Sequence, residues 1–186
     1  MFSSNIAATV IAATLLFAGN AKACLLAAKT NLDDVSFADL VVIGEITDYE
    51  IVKDQEIREQ RRKQIERCPE LKEFYGKQKS FITDYARFTV KVGKVLQGEA
   101  SDKIEVAWNN STFGEPDSMS RGPFLIALRK AGGKLPPLRG PSATVFPDPN
   151  PKLWNVLQAR CAPPFIFKTS SASAKSIIQK LVVSQN

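Results

Sequence analysis

The sequence predicts a mainly β domain, a small barrel of about five strands with an inserted helical segment and a C-terminal helix. Strand-like apolar patterns recur at 38–52, 85–97, 103–108 and 122–130. A run of Gln, Glu, Arg and Lys at 53–79 separates the first two. An apolar stripe at helical spacing closes the chain at 177–182.

Taken in order, the first element is a leader. Ile6 to Ala18 is almost wholly apolar or small, and Gly19 and Asn20 end the run. That length suits the apolar region of a secretory signal, about 7–15 residues, and falls short of the about 20 that a membrane span needs. Ala21-Lys22-Ala23 then places small residues on either side of a spacer, as a signal peptidase site requires. Residues 1–23 are therefore expected to be a cleaved signal peptide, with Cys24 the first mature residue and residues 24–186 a single domain. A retained anchor helix and a lipoprotein acylated at Cys24 are the alternatives. Ala21 stands where a lipoprotein would carry a bulky aliphatic side chain.

Ala38 to Val52 is a long strand candidate. Leu40-Val41-Val42-Ile43 is continuously apolar, as in a strand buried on both faces, and Gly44 suggests a bulge. Phe37 is placed to anchor the loop before it. Lys53 to Lys79 has only Ile57 and Ile65 as apolar residues between Asp54 and Arg67. It reads as a solvated helical excursion, with a second short turn from Pro69 to Gly76. Tyr85 to Gln97 alternates, with Ala86, Phe88, Val90 and Val92 on one face. Gly98 to Asp102 is a turn. Lys103 to Trp108 resumes the alternation, and Gly122 to Lys130 is apolar from Phe124 to Leu128, as befits a central strand.

Gly132 to Pro151 holds six prolines, which excludes regular structure from most of it, although Ser142 to Phe146 fits a short edge strand. Leu153 to Ala159 fits strand and helix equally. Pro163-Pro164 breaks the chain again. A last helix should start at Ser170 or Ser171 and dock through Ile177, Ile178, Leu181 and Val182.

Composition excludes several chemistries. The chain has no histidine, which removes a Ser-His-Asp triad, a Cys-His pair and His-ligated zinc. Loss of Lys22 with the leader lowers the net charge from +6 to +5, and the charges are too mixed for a nucleic-acid surface. Cys24, Cys68 and Cys161 allow one disulfide and one spare thiol in an oxidising compartment, with three pairings open. Asp33 and Asp34 suit a helix start, and Glu45 and Asp48 make a poor acid–base pair on a strand. Cys68 lies near Arg67 and Lys72 without a base beside it. No enzyme, cofactor or metal is expected.

The order Cys24, then ADLVVIGEIT, then YARFTVKVGKVLQGEASDKIEVAW, then GPFLIALRK resembles the netrin-like module. That family includes tissue inhibitors of metalloproteinases, netrin C-terminal domains and small exported bacterial proteins. The resemblance covers Cys24 to Lys130 apart from the insertion, and less closely Cys161 to Leu181. It implies a five-stranded OB-like barrel. It also implies a Cys24–Cys161 disulfide, because Cys161 resembles the family cysteine that pairs near the N-terminus. The rival is Cys68–Cys161. For the inhibitors, the resemblance implies metal chelation by the terminal amine and carbonyl, here of Cys24, with Leu25 filling a pocket. This chain departs from them in having Cys24-Leu25-Leu26 where they carry Cys-x-Cys, and Thr112-Phe113-Gly114 where the family often has Cys-Gly.

The resulting expectation is a periplasmic or secreted, non-catalytic binding module. Its partner is an unknown protein or an envelope component, with no nucleic acid and no transmembrane segment in the mature form. The arm at 53–79 carries nine Lys/Arg and six Asp/Glu, a net charge of +3 that suits an anionic partner. Pro136-Pro137-Leu138-Arg139 reads as loop rather than as a polyproline ligand, and Asn110-Ser111-Thr112 is a glycosylation acceptor by pattern.

Overall fold

A computed structural model describes residues 28–75, 81, 83–109, 116–138 and 147–183. The leader, Cys24, Leu25, the Asn110 acceptor, Thr112-Phe113-Gly114, Arg139 and the Ser142–Phe146 strand expectation all lie outside the described residues. Among the described residues there are six strands: β1 (Leu40–Val52), β2 (Tyr85–Gln97), β3 (Lys103–Asn109), β4 (Phe124–Arg129), β5 (Trp154–Val156) and β6 (Ile166–Lys168). A 3-10 helix spans Leu32–Phe37, and the α-helices are α1 (Gln55–Arg67), α2 (Leu71–Tyr75) and α3 (Ala172–Val183).

The sheet runs β1-β2-β3-β5-β4, and β1 also pairs with β4, which closes a five-stranded OB-like barrel. β3 and β5 are parallel, while the other pairs are antiparallel. β6 extends the sheet from the edge of β4. β1 can serve two neighbours because it is long. It pairs with β4 from Leu40 to Gly44 and with β2 from Val41 to Val52. Register shifts along β1 bend it between them, one of them between Ile43 and Gly44. A Cβ on Gly44 would lie 2.6 Å from the Lys91 carbonyl oxygen, so only glycine fits that close approach.

Two apolar layers explain the continuous runs. Leu40, Val42 and Ile46 of β1, Phe88 and Val90 of β2, Val106 of β3, and Phe124, Ile126 and Leu128 of β4 fill the barrel. Val41 of β1 and Leu125 and Ala127 of β4 point the other way, into a second cluster with Val35, Leu157, Phe165 and α3. β1 and β4 are therefore apolar on both faces over Leu40–Val42 and Phe124–Leu128, whereas β2 alternates. Phe37 packs against the second cluster from the 3-10 helix.

Several expectations are corrected in detail. β1 starts at Leu40, because the Ala38 N–H donates to the Val35 carbonyl and ends the 3-10 helix there. Leu153–Ala159 resolves as strand over only Trp154–Val156, and β6 adds a short strand to the expected five. Three residues carry no readable period. α3 is capped by Ser171, whose Oγ accepts the Ala174 N–H at 3.2 Å. It docks through the buried Ala174, Ile177 and Leu181, with Ile178 packed half-buried against the same cluster as expected, whereas Val182 is 56% exposed. Position 182 belongs to the rim because the helix is rotated toward Ala174. Ile177→Ala is accordingly expected to cost about 2–5 kcal/mol, and Val182→Ala less than about 0.5 kcal/mol. Denaturant melts of the two variants check this, and equal losses would contradict the rotation.

Candidate interaction site

Ala28 lies beside Cys161. Leu157 and Phe165 bracket a loop closed on β4. The Leu157 N–H donates to the Ala127 carbonyl at 2.9 Å, the Ala127 N–H to the Phe165 carbonyl at 3.0 Å, and the Phe165 N–H to the Leu157 carbonyl at 2.9 Å. Within this loop the Ala162 N–H donates to the Ala159 carbonyl at 3.0 Å, making a four-residue turn. Cys161 is the third residue of that turn, with φ 65°. Such a position favours glycine, and a side chain there costs roughly 1–2 kcal/mol. The Cys161 residue is buried, and its carbonyl accepts the Ala28 N–H at 2.7 Å.

Gln158 braces the turn. Its Oε1 accepts from Trp108 Nε1 at 3.0 Å, and its Nε2 donates to the Ala162 carbonyl at 2.7 Å. Cys161 is held in a disulfide, and Cys68 is a free, exposed thiol beyond the end of α1. Of the residues anticipated at this site, only Cys161 lies among the described residues.

The inserted arm is fixed at its base by a carboxylate that sequence reasoning missed. Asp84 is 2% exposed. Its Oδ1 accepts from Arg58 Nη1 at 2.6 Å and from the Asp54 N–H at 2.9 Å. Its Oδ2 accepts from Arg58 Nη2 at 2.7 Å and from the Phe81 N–H at 2.9 Å. Burial pushes this carboxyl up, but the Arg58 guanidinium and the two amides outweigh it and hold Asp84 below the ordinary carboxylate range. Asp54 caps α1 by accepting the Ile57 N–H at 3.1 Å, and that bond leads the lowering of its pKa. The Arg58 guanidinium also sits 4.7 Å from the Phe81 ring centre, and that of Arg61 sits 3.5 Å from the Tyr75 ring centre.

The arm's basic excess is thus partly structural. Arg58 faces a carboxylate outside the arm and Arg61 faces a ring. On the solvent side Arg62 pairs with Glu59 at 2.7 Å, and Lys63 lies 3.7 Å from the same Glu59. No residue of α1 is buried. These exposed pairs each contribute little, and the outward face is of mixed sign.

The connection from β4 to β5 is held in the same manner. The buried Arg129 side chain donates to both carboxylate oxygens of Asp148, with Nη1 at 2.9 Å from Oδ2, and the Gly132 N–H donates to Oδ2 at 2.7 Å. Burial pushes Asp148 up, and Arg129 and the Gly132 amide override it, leaving the carboxyl below its ordinary value. An arginine paired with a shielded aspartate therefore helps to fasten each of these two connections.

The other residues singled out in sequence are dispersed. Asp33 is exposed and pairs with Lys180, whereas Asp34 is buried. Glu45 and Asp48 are exposed, and Asp48 sits at a β1 irregularity with φ 54°. Among the described residues no group of three or more His, Cys, Asp or Glu is arranged to hold a metal, and no helix is long and apolar enough to cross a membrane. Comparison with protein-family models, with curated proteins and with solved structures finds no match.

Proposed function

We propose that this chain is an exported, non-catalytic binding module of netrin-like type, periplasmic or secreted. It contacts a partner protein or envelope component through its mature N-terminus at Cys24 and Leu25. The observation that carries this reading is the capture of the Ala28 amide by the buried Cys161 carbonyl in a left-handed turn. Strained backbone of this kind persists only where the surroundings hold it, and it concentrates at working sites. Ala28, four residues after Cys24, is thereby fixed against the barrel.

The reading includes a Cys24–Cys161 disulfide. It is supported by the bonded state of Cys161, the free thiol of Cys68 and the nearness of Ala28. Four residues reach at most about 14 Å, enough to bring Cys24 back to Cys161. Non-reducing peptide mapping should yield a Cys24 peptide linked to a Cys161 peptide. A linked Cys68 peptide would refute the pairing.

The contact itself is tested by affinity purification of the exported protein with its natural N-terminus and with one extra alanine before Cys24. The partner is expected with the first and lost with the second. Equal recovery moves the contact elsewhere, and recovery that depends on residues 54–78 assigns it to the arm. The same anchoring favours a second reading, inhibition of a metalloprotease. An α-amino group with a pKa near about 8 supplies a neutral nitrogen ligand, and Leu25 would enter the enzyme's pocket. A metalloprotease panel assayed with both forms tests it, and no inhibition by the natural form removes it.

A further inference from the structure

We propose that Gln158 is a positioning residue for the mature N-terminal segment, acting through the turn that carries Cys161. The proposal rests on the reading of that segment as the contact element. A chain of bonds leads from the barrel wall to the segment. Trp108 Nε1 on β3 donates to Gln158 Oε1 at 3.0 Å, and Gln158 Nε2 donates to the Ala162 carbonyl at 2.7 Å. The Ala162 N–H closes the turn on Ala159, and the Cys161 carbonyl between them takes the Ala28 N–H.

The residue type matters. Trp108 offers only a donor and the Ala162 carbonyl only an acceptor, so the group between them must accept at one end and donate at the other. The glutamine amide does both. Cys161 has no backbone freedom of its own at φ 65°, unlike a glycine, so its conformation must be imposed from outside the turn. Gln158 fastens the residue that follows Cys161, and the Leu157 and Phe165 amides fasten the two ends of the loop. Ala28 is thereby referred to Trp108, whose side chain is set by barrel packing.

Amide hydrogen exchange on the full exported protein tests this. The measurement compares protection at Ala28 with protection at Ala38, whose N–H is bonded within the 3-10 helix. Gln158→Met keeps the bulk and removes both polar ends, and it should lower Ala28 protection at least tenfold more than Ala38 protection. Gln158→Glu keeps the acceptor and loses the donor at neutral pH, and it should behave like the Met variant. Trp108→Phe, which leaves the Ala162 bond in place, should fall between wild type and Gln158→Met, and it serves if the Met variant does not fold. Unchanged protection at Ala28, or an equal loss at both amides, would overturn the positioning role. Selective loss at Ala28 with partner recovery intact would uphold that role and reject the N-terminal contact.

Discussion

Ile126→Asp is expected to yield no soluble folded protein. Ile126 is fully buried, and in register it lies between Val42 of β1 and Ile166 of β6. Its side chain belongs to the barrel interior with Leu40, Phe88 and Val106. No basic group is among that cluster, so the introduced carboxyl must be buried unpaired or protonated, and several kilocalories are lost either way. A domain of this size holds only about 5–15 kcal/mol in total. Phe124→Asp, two residues earlier on the same face, should fail likewise, whereas Val95→Asp at an exposed site should express and melt normally. Soluble yield and a thermal melt by circular dichroism decide it. A cooperative melt for Ile126→Asp near wild type would show that β4 is not central to the core.

Asp84→Ala should have the next largest effect, and it should begin in the arm. The substitution strips Arg58 of its bidentate partner and leaves the Asp54 and Phe81 amides without their acceptor. Breaking a buried pair from one side costs about 3–5 kcal/mol. The expected readout is cleavage within 54–81 by a trypsin-like protease at least tenfold faster than in wild type, accompanied by a lower melting temperature. Equal cleavage rates would mean that the arm is held by something other than Asp84. The pH dependence has a definite sign. Asp84 and Asp148 both titrate below their ordinary values in the folded protein. Their contribution is complete above the unfolded carboxyl value of about 3.9 and is lost as pH falls through the lower folded values. Acid titration of stability should therefore be shallower in Asp84→Asn than in wild type, and an identical slope would count against the pair.

How much of this was legible in sequence depended on range. β2 could be read because Ala86, Phe88 and Val90 alternate over a long run, and β1 and β4 because their runs are apolar on both faces. β5 and β6 could not, since three residues fix no period. The working polar residues were hidden by separation along the chain. Asp84 meets Arg58 26 residues away, and Gln158 meets Trp108 50 residues away. Nothing local marks either as buried or bridging. The arm showed the converse, because its positive balance was plain while the inward use of Arg58 and Arg61 was not. Of the candidate site residues named from sequence, only Cys161 lies among the described residues, and it was named through its place before Ala162-Pro163-Pro164 in the netrin-like resemblance.

The short β5 has a consequence for biosynthesis. Among the described residues, β5 bridges β3 to β4 with just three residues, and the other way round the ring passes through β2 and β1. A nascent chain that has not yet produced Val156 therefore has a complete β1–β2–β3 meander and a paired β4 but two raw sheet edges, and such edges invite association with other chains. Ring closure also pairs Leu40 with Leu128, a distant contact of the kind that slows folding. The molecule thus cannot complete its barrel until Val156 has been made, and the outer edges of β3 and β4 stay open to other chains until then.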